Sequence, residues 1–377
     1  MNFTKHWAAT LDDYAIDLAW SPLPDDGEDK HRAGSSQQRR DGTLLAVASA
    51  AGGITLYDAA TGAVQHALAG HANGANCLAW MPAHLRTEDG GRKTDILATG
   101  GQDGCVRFWD AAAGQQTAEA KLGSAWVEHL AWRPVQRTED GGLKTEALLF
   151  AAAGKKLFVL RSDGTLAHTF PDAPKTISAL AISPPSVLRP LPSVIAAAYF
   201  GGVCLWDATT FAAQKELPYG NAILALTCSP DGRWLVAGCH DNSVHLWVPA
   251  EDLELHMSGY ETRLKELSFS HDSKWLATGG GKDVCVWDCA GAGPEGREPL
   301  QLPQTARTTA VAFQNQHSLL ATGDAGGTFT LWAPTRKNPM VAEVKMPSAA
   351  TKFAWKPDDS LLAVGTEKGV VYVFKTA

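Results

Sequence analysis

The chain has 377 residues, 45% of them hydrophobic and 19% charged, which is the make-up of a globular protein with ample apolar material for a core. A net charge of −7, from 33 basic and 40 acidic residues, provides no broad basic field and argues against non-specific nucleic-acid binding. No window reaches the roughly 18 apolar residues of a membrane helix. The start MNFTKHWAATLDDYAIDLAW lacks a basic region before an apolar run, and the seven cysteines are an odd number scattered singly. A cytoplasmic, reducing location without membrane contact or a disulfide framework is therefore expected.

In chain order, residues 3 to 11 (FTKHWAATL) come first, with strand-like composition but outside every repeating unit. Three-part units then recur. Each has an apolar strand, often ending near Pro, then a second strand reading like LLATG, then a third ending in Trp-Asp or its equivalent. The Trp position is held in turn by Tyr57, Trp109, Leu160, Trp206, Trp247, Trp287, Trp332 and Phe374, spaced by 52, 51, 46, 41, 40, 45 and 42 residues. The strands that open the units agree in number: DLAWSP, CLAWMP, HLAWRP, LAISPP, LTCSPD, LSFSHD, VAFQNQ and FAWKPD. Short β-branched, aromatic and small apolar runs separated by Gly, Asp, Asn and Pro read as strands. Eight units of about 45 residues override the two or three domains that length alone suggests and give one domain over 1–377.

These residues resemble the WD-repeat β-propeller family over nearly the whole chain. The unit from Gly70-His71 to Trp109-Asp110 is the best single match, and the resemblance implies that His71, Thr99, Asp103 and Trp109 form a hydrogen-bonded tetrad within one blade. The implied fold is all-β, a single closed propeller of four-stranded blades, with eight blades and seven as the alternative because the third unit lacks both Trp and Asp. Fourth strands fall in segments such as AVQHALAG, TLAHTF and AAQKEL. After Phe374 only three residues remain, so by resemblance residues 3–11 supply the outer strand of the last blade and close the ring. An open ring would expose blade faces and unpaired edges.

The loops differ between halves. Blades 5 to 8 join their first two strands tightly, whereas blades 1 to 4 carry insertions at 21–42, 81–95, 133–146 and 183–193. By the family's geometry all four lie on one face. The first has the composition of a mobile segment. Two of them repeat a motif, Arg86 to Thr94 (RTEDGGRKT) and Arg137 to Thr145 (RTEDGGLKT), whose Asp-Gly-Gly suits a hairpin turn, with Glu88 facing Lys93. Duplication of one blade explains the repeat. The alternative is that paired arms grip a partner through Arg86, Glu88, Asp89 and Lys93 and through Arg137, Glu139, Asp140 and Lys144. Their balanced charge favours a protein over nucleic acid.

Of thirteen tryptophans, eleven sit at repeat positions and Trp7 belongs to the closing strand; all of these read as core. Trp126, in GSAWVEHLAW, has no structural task. It precedes a first strand, in register with Tyr14, Arg263 and Arg307, and with Tyr219 and Tyr260 in nearby loops. Trp, Tyr and Arg are enriched at binding hot spots, so these residues are a second candidate site, at the channel mouth of the opposite face. The competing reading is that they cover blade edges.

Chemistry is less supported. One register along the first strands holds Asp17, Cys77, His129, Ala179, Ala225, Glu266, Ala310 and Lys352, in which Asp17 and Lys352 could pair across the ring closure and Cys77 and His129 would be neighbours. Two further zinc ligands are not in view. Cys228 and Cys239 lie on adjoining strands out of register, and His240, His245 and Asp241 fit hydrogen bonding within blade 5. Gly279-Gly-Gly-Lys282 lacks the spacing of a phosphate loop. No cofactor or metal is expected. The chain reads as a non-catalytic, monomeric scaffold for a protein or peptide partner. The alternatives are an enzyme or metal site in the channel and a structural assembly subunit.

Overall fold

Strand-forming runs of four to eight residues joined by Gly-, Asp- and Asn-containing turns fold each unit into an antiparallel meander whose neighbours in sequence are neighbours in the sheet. The computed structural model of the chain shows eight such four-stranded sheets, and it describes residues 3–23, 43–85, 88–89, 92–93, 95–133, 136–137, 143–144, 146–183 and 193–376. Blade 2, for example, runs Ala75–Trp80, Ile96–Gly101, Cys105–Asp110 and Gln115–Lys121. The degenerate third unit also forms a complete blade, from Val127–Trp132 to Leu166–Thr169, so the count is eight and not seven. Leu160, in its Trp position, is fully buried.

The last blade takes its outer strand from the N-terminus, as expected. Phe3–Thr10 pairs antiparallel with Val370–Thr376, from Phe3 opposite Thr376 to Thr10 opposite Val370. Trp7 reaches from this strand into blade 1, where its indole Nε1 donates to Ala59 O at 2.9 Å and its ring packs on Tyr57. A Cβ on Gly62 would come within 2.6 Å of that ring, so the turn must carry glycine there, at φ +72°.

The apolar core lies between blades. Eight buried clusters each combine two adjacent blades, one per seam; the seam between blades 8 and 1 joins Leu361, Val371 and Val373 to Trp7, Leu18, Trp20 and Leu45. Hydrogen bonds reinforce several seams. The tryptophans that end the first strands of blades 8, 1, 2 and 3 donate to an alanine carbonyl of the preceding blade: Trp355 to Ala312, Trp20 to Ala354, Trp80 to Ala19 and Trp132 to Ala79, at 2.9 to 3.1 Å. First strands in seven blades also share a β-bulge near their start. A bulge re-aims the extra side chain. Here Asn76, Ser178 and Thr351 donate to carbonyls of the next blade, Val127, Ile223 and Ala15.

Within blade 2 the implied tetrad is present. His71 Nδ1 lies 3.0 Å from Asp103, His71 Nε2 lies 2.8 Å from Thr99 Oγ1, and Trp109 Nε1 donates to the same hydroxyl at 3.0 Å. Two further blades rebuild the relay with other residues. Tyr260 OH accepts from Trp287 and meets Thr278 Oγ1, both at 2.9 Å; in blade 7 Trp332 donates to Thr322, which donates to Gln304 Oε1. Blade 5 has Ala237 where the threonines stand, and the buried Trp247 Nε1 is left without a partner. Supplying that hydroxyl with Ala237→Thr is expected to stabilise the protein by about 1 kcal/mol in urea unfolding; a net loss of stability would show that no room exists for it.

The blade 2 network is also acid-sensitive. Burial pushes the Asp103 carboxyl up, but hydrogen bonds from Arg107 (2.7 Å) and His71 outweigh it and hold the group at about 2. Because this folded value is below the unfolded one, its contribution of roughly 2 kcal/mol is complete above pH 4 and is lost as pH falls toward 2. His71 is lowered chiefly by burial, so protonating it also costs stability, beginning as pH falls through its unfolded value near 6.5. Asp103→Asn should therefore be less stable than wild type at pH 7, with the gap narrowing progressively below pH 4 in chemical denaturation. A gap independent of pH would contradict the ionic account.

Candidate functional site

Antiparallel connectivity puts the loops between first and second strands, and those between third and fourth, on one face, and the remaining loops on the other. The two arms belong to the first face. Glu88–Asp89 pairs with Arg92–Lys93, bringing Glu88 opposite Lys93 as expected, and Gln136–Arg137 pairs with Leu143–Lys144. The registers differ despite the shared motif. Lys144 stands opposite Gln136, leaving five residues between the strands of the second ladder, where the first has two. Arg86, Glu139, Asp140 and most of the insertions at 21–42, expected to be mobile, and at 183–193 lie outside the described residues.

The second face carries the aromatic candidates. Trp126 is 49% exposed and Tyr14 is 42% exposed, each immediately before a first strand, on blades 3 and 1. Arg307 holds the same position on blade 7, and on blade 6 Arg263 precedes Leu264, whose N–H bonds Cys239 O of blade 5; both arginines are exposed. Tryptophans at the repeat positions are all buried or half-buried, as expected. Phe200, 55% exposed in the turn between the second and third strands of blade 4, is a further aromatic on this face. It was hidden because AAYFGG reads as strand running into a glycine turn.

Tyr219 and Tyr260 need correction. Tyr260 is the relay residue of blade 6, with its hydroxyl between Trp287 and Thr278. Tyr219 is half-buried and bonds Asp241 at 2.7 Å and Ser243 at 3.0 Å. Both lie outside the strands, as expected, but Tyr219 stands four residues before Ile223 and Tyr260 four before Leu264, as His71 stands four before Ala75 in blade 2, so they take a histidine's place inside the blade. His245 also bonds within the blade, to Glu254.

Around the channel, Asp17 and Lys352 do pair, at 3.1 Å, and Asp17 also accepts from Leu78 N of blade 2 at 3.1 Å. The Asp17 charge raises the Lys352 ammonium. Cys77 turns its thiol into the seam with blade 3, 3.7 Å from Val127 O, and burial pushes it well above the usual thiol range. His129 is held down to about 4 by burial, so it is neutral at pH 7. Glu266 is buried with Oε1 unpartnered, and burial raises its carboxyl. Among the described residues no three of His, Cys, Asp or Glu gather as a metal site. Cys228 and Cys239 are out of register, as expected, paired instead with Leu235 and Ile223.

The WD domain, G-beta repeat family matches residues 62–110, 214–248 and 253–288. WD repeat-containing protein 70 of Xenopus laevis is 24% identical over 317 residues, covering 74% of this chain and 49% of that protein. Transcription factor unc-37 of Caenorhabditis elegans is 22% identical, covering 65% and 37%, and autophagy-related protein 16 of Arabidopsis thaliana is 22% identical, covering 73% and 52%. The chain thus spans about half the length of these relatives or less. Among solved structures, the Dos1 propeller superposes with a TM-score of 0.76 at 17% identity, covering 99% of this chain and 95% of that one. The computationally designed Ika8 protein gives 0.67 at 18%, covering 97% and 98%. With eight four-stranded blades, a closing N-terminal strand, the intact tetrad of blade 2 and these matches, the chain belongs to the WD40-repeat β-propeller family.

Proposed function

We propose that this propeller is a non-catalytic, monomeric scaffold that binds a protein or peptide partner across the channel mouth on the Trp126 face. The observation that carries this reading is the half-exposed indole of Trp126, in a fold whose other described tryptophans are packed into blades and seams. Covering so large an apolar ring gains free energy, and buried aromatics and arginines dominate interface energies. Tyr14 and Arg307 share its position on other blades and, with Arg263, complete the surface. A cytoplasmic location belongs to the same reading, supported by seven unpaired thiols; among the described residues no helix is long and apolar enough to cross a membrane.

The repeated arms, Arg86 to Lys93 and Arg137 to Lys144, are the second reading. What favours them is that the motif survives in two exposed loops while the strands after them have diverged. Their unlike registers weigh against two equivalent grips.

Affinity capture from the native lysate with quantitative mass spectrometry separates the two. Trp126→Ala with Tyr14→Ala should reduce recovery of the partner at least tenfold while the unfolding midpoint stays within about 0.5 kcal/mol of wild type. Replacing both TEDGG tips by short Asp-Gly turns should leave recovery unchanged. Loss of the partner with the arm variant alone would reverse the assignment, and stoichiometric metal on the purified protein would favour a metal-dependent role.

A further inference from the structure

We propose that the face carrying the arms also holds a site for a borderline divalent metal ion such as Zn²⁺, ligated by the imidazoles of His271 and His317. This goes beyond the partner-binding reading and does not depend on it. The two histidines sit in the tight turns that join the first two strands of blades 6 and 7, and the corresponding turn of blade 8 carries Asp359. Each of these turns touches the next. His271 Nδ1 lies 2.9 Å from the His317 carbonyl oxygen, and His317 Nδ1 lies 2.9 Å from Asp359 Oδ2. All three residues line one surface depression of about 620 Å³, together with Ser318, Arg336 and Asp358.

These partners fix which nitrogen of each ring carries the proton. A carbonyl and a carboxylate accept, so both Nδ1 atoms donate, and in the neutral rings both Nε2 atoms keep a lone pair. Neither Nε2 has a hydrogen-bond partner among the described residues, and both side chains are exposed, that of His317 by 67%. An imidazole that gives its other N–H to a carboxylate or a backbone carbonyl is the form in which histidine ligates metals, because the partner orients the ring and raises its basicity. The two rings are also neighbours, since His271 hydrogen-bonds the very residue that bears the second imidazole.

The support behind the pair is firm. Asp359 is buried and accepts from the N–H groups of Asn315, Gln316 and His317 at 2.7, 2.8 and 3.1 Å, which clamps the turn that carries His317 onto blade 8. Ligands held in advance lose little freedom on binding. Charge in the depression is balanced: Asp358 pairs with Lys356 at 2.6 Å, and the Asp359 carboxylate stands against the exposed Arg336. No third His, Cys, Asp or Glu completes a ligand set among the described residues, so water or an incoming donor takes the remaining positions of the metal. Two imidazoles select Zn²⁺, Ni²⁺ or Cu²⁺ over Mg²⁺, which prefers oxygen ligands.

Calorimetric titration of chelator-stripped, full-length protein with ZnCl₂ tests this, with His271→Gln and His317→Gln titrated in parallel and MgCl₂ as the hard-cation control. Both positions are exposed, and retained thermal unfolding midpoints confirm that the variants fold. Wild type should bind Zn²⁺, and each single variant should bind it roughly tenfold more weakly or worse, because the loss of either imidazole breaks the pair. Mg²⁺ should give no binding at the same concentrations. Zinc binding that both variants retain unchanged would put the ion elsewhere and overturn the site, as would a wild type that binds no zinc. Weakening in only one variant would contradict a shared ion, and Mg²⁺ binding as tight as Zn²⁺ would contradict ligation by imidazole.

Discussion

Everything in this propeller depends on closing the ring between its last blade and its first. The apolar core is not a single interior but eight seams, and seven of them join blades that are consecutive in the chain. The eighth joins residues more than 300 apart in the chain, and Phe3–Thr10, paired with Val370–Thr376, supplies Trp7 to it. Trp7 makes that pairing more than an added strand. It lies on the outer strand of blade 8 yet buries its ring against Tyr57 and Gly62 of blade 1. The same seam gathers the Trp20 indole on Ala354 O, Thr351 on Ala15 O, and the Asp17–Lys352 pair. The ion pair is half exposed on its lysine side and adds less than the buried indoles. Without closure, two sheet faces and an outer strand position would meet water, and the cost falls on the whole ring.

Closure also positions the candidate binding surface. Tyr14 comes directly after the closing strand, through Leu11 N bonded to Gly369 O, and so depends on the seam for its place at the mouth. Arg307 and Trp126 are held at the same height because each precedes a first strand that is pinned to its neighbours, and Arg263 precedes Leu264, whose N–H is bonded to blade 5. A rigid ring with short loops of this kind presents a preformed surface, which limits the ordering cost of binding.

Much of this was legible in the sequence because a propeller repeats its core chemistry at a fixed interval. The Trp-position series from Tyr57 to Phe374 counts the blades, and the unallocated FTKHWAATL points to the closing strand. The tetrad of blade 2 was legible because all four residue types are present. Its relatives in blades 6 and 7 were not, since Tyr260 and Gln304 fill a histidine's place and only three-dimensional register reveals that their polar groups meet Thr278 and Thr322. The seam bonds were illegible for a similar reason: an indole donating to a backbone carbonyl leaves no mark on the acceptor residue, here always alanine. Phe200 was missed because a glycine turn can follow either a buried or an exposed aromatic, and the two arms concealed different registers behind one motif.

The most direct test of closure is hydrogen–deuterium exchange, resolved by peptide, on wild type and Trp7→Ala. Losing a buried indole costs on the order of 3 kcal/mol, and ring closure concentrates that cost at one seam. Protection should fall first and together in residues 3–10, 370–376 and the first strand of blade 1, with a lower global unfolding midpoint after it. Protection that is unchanged there, or that falls evenly over all eight blades with no early loss at this seam, would contradict the claim that the N-terminal strand locks the ring.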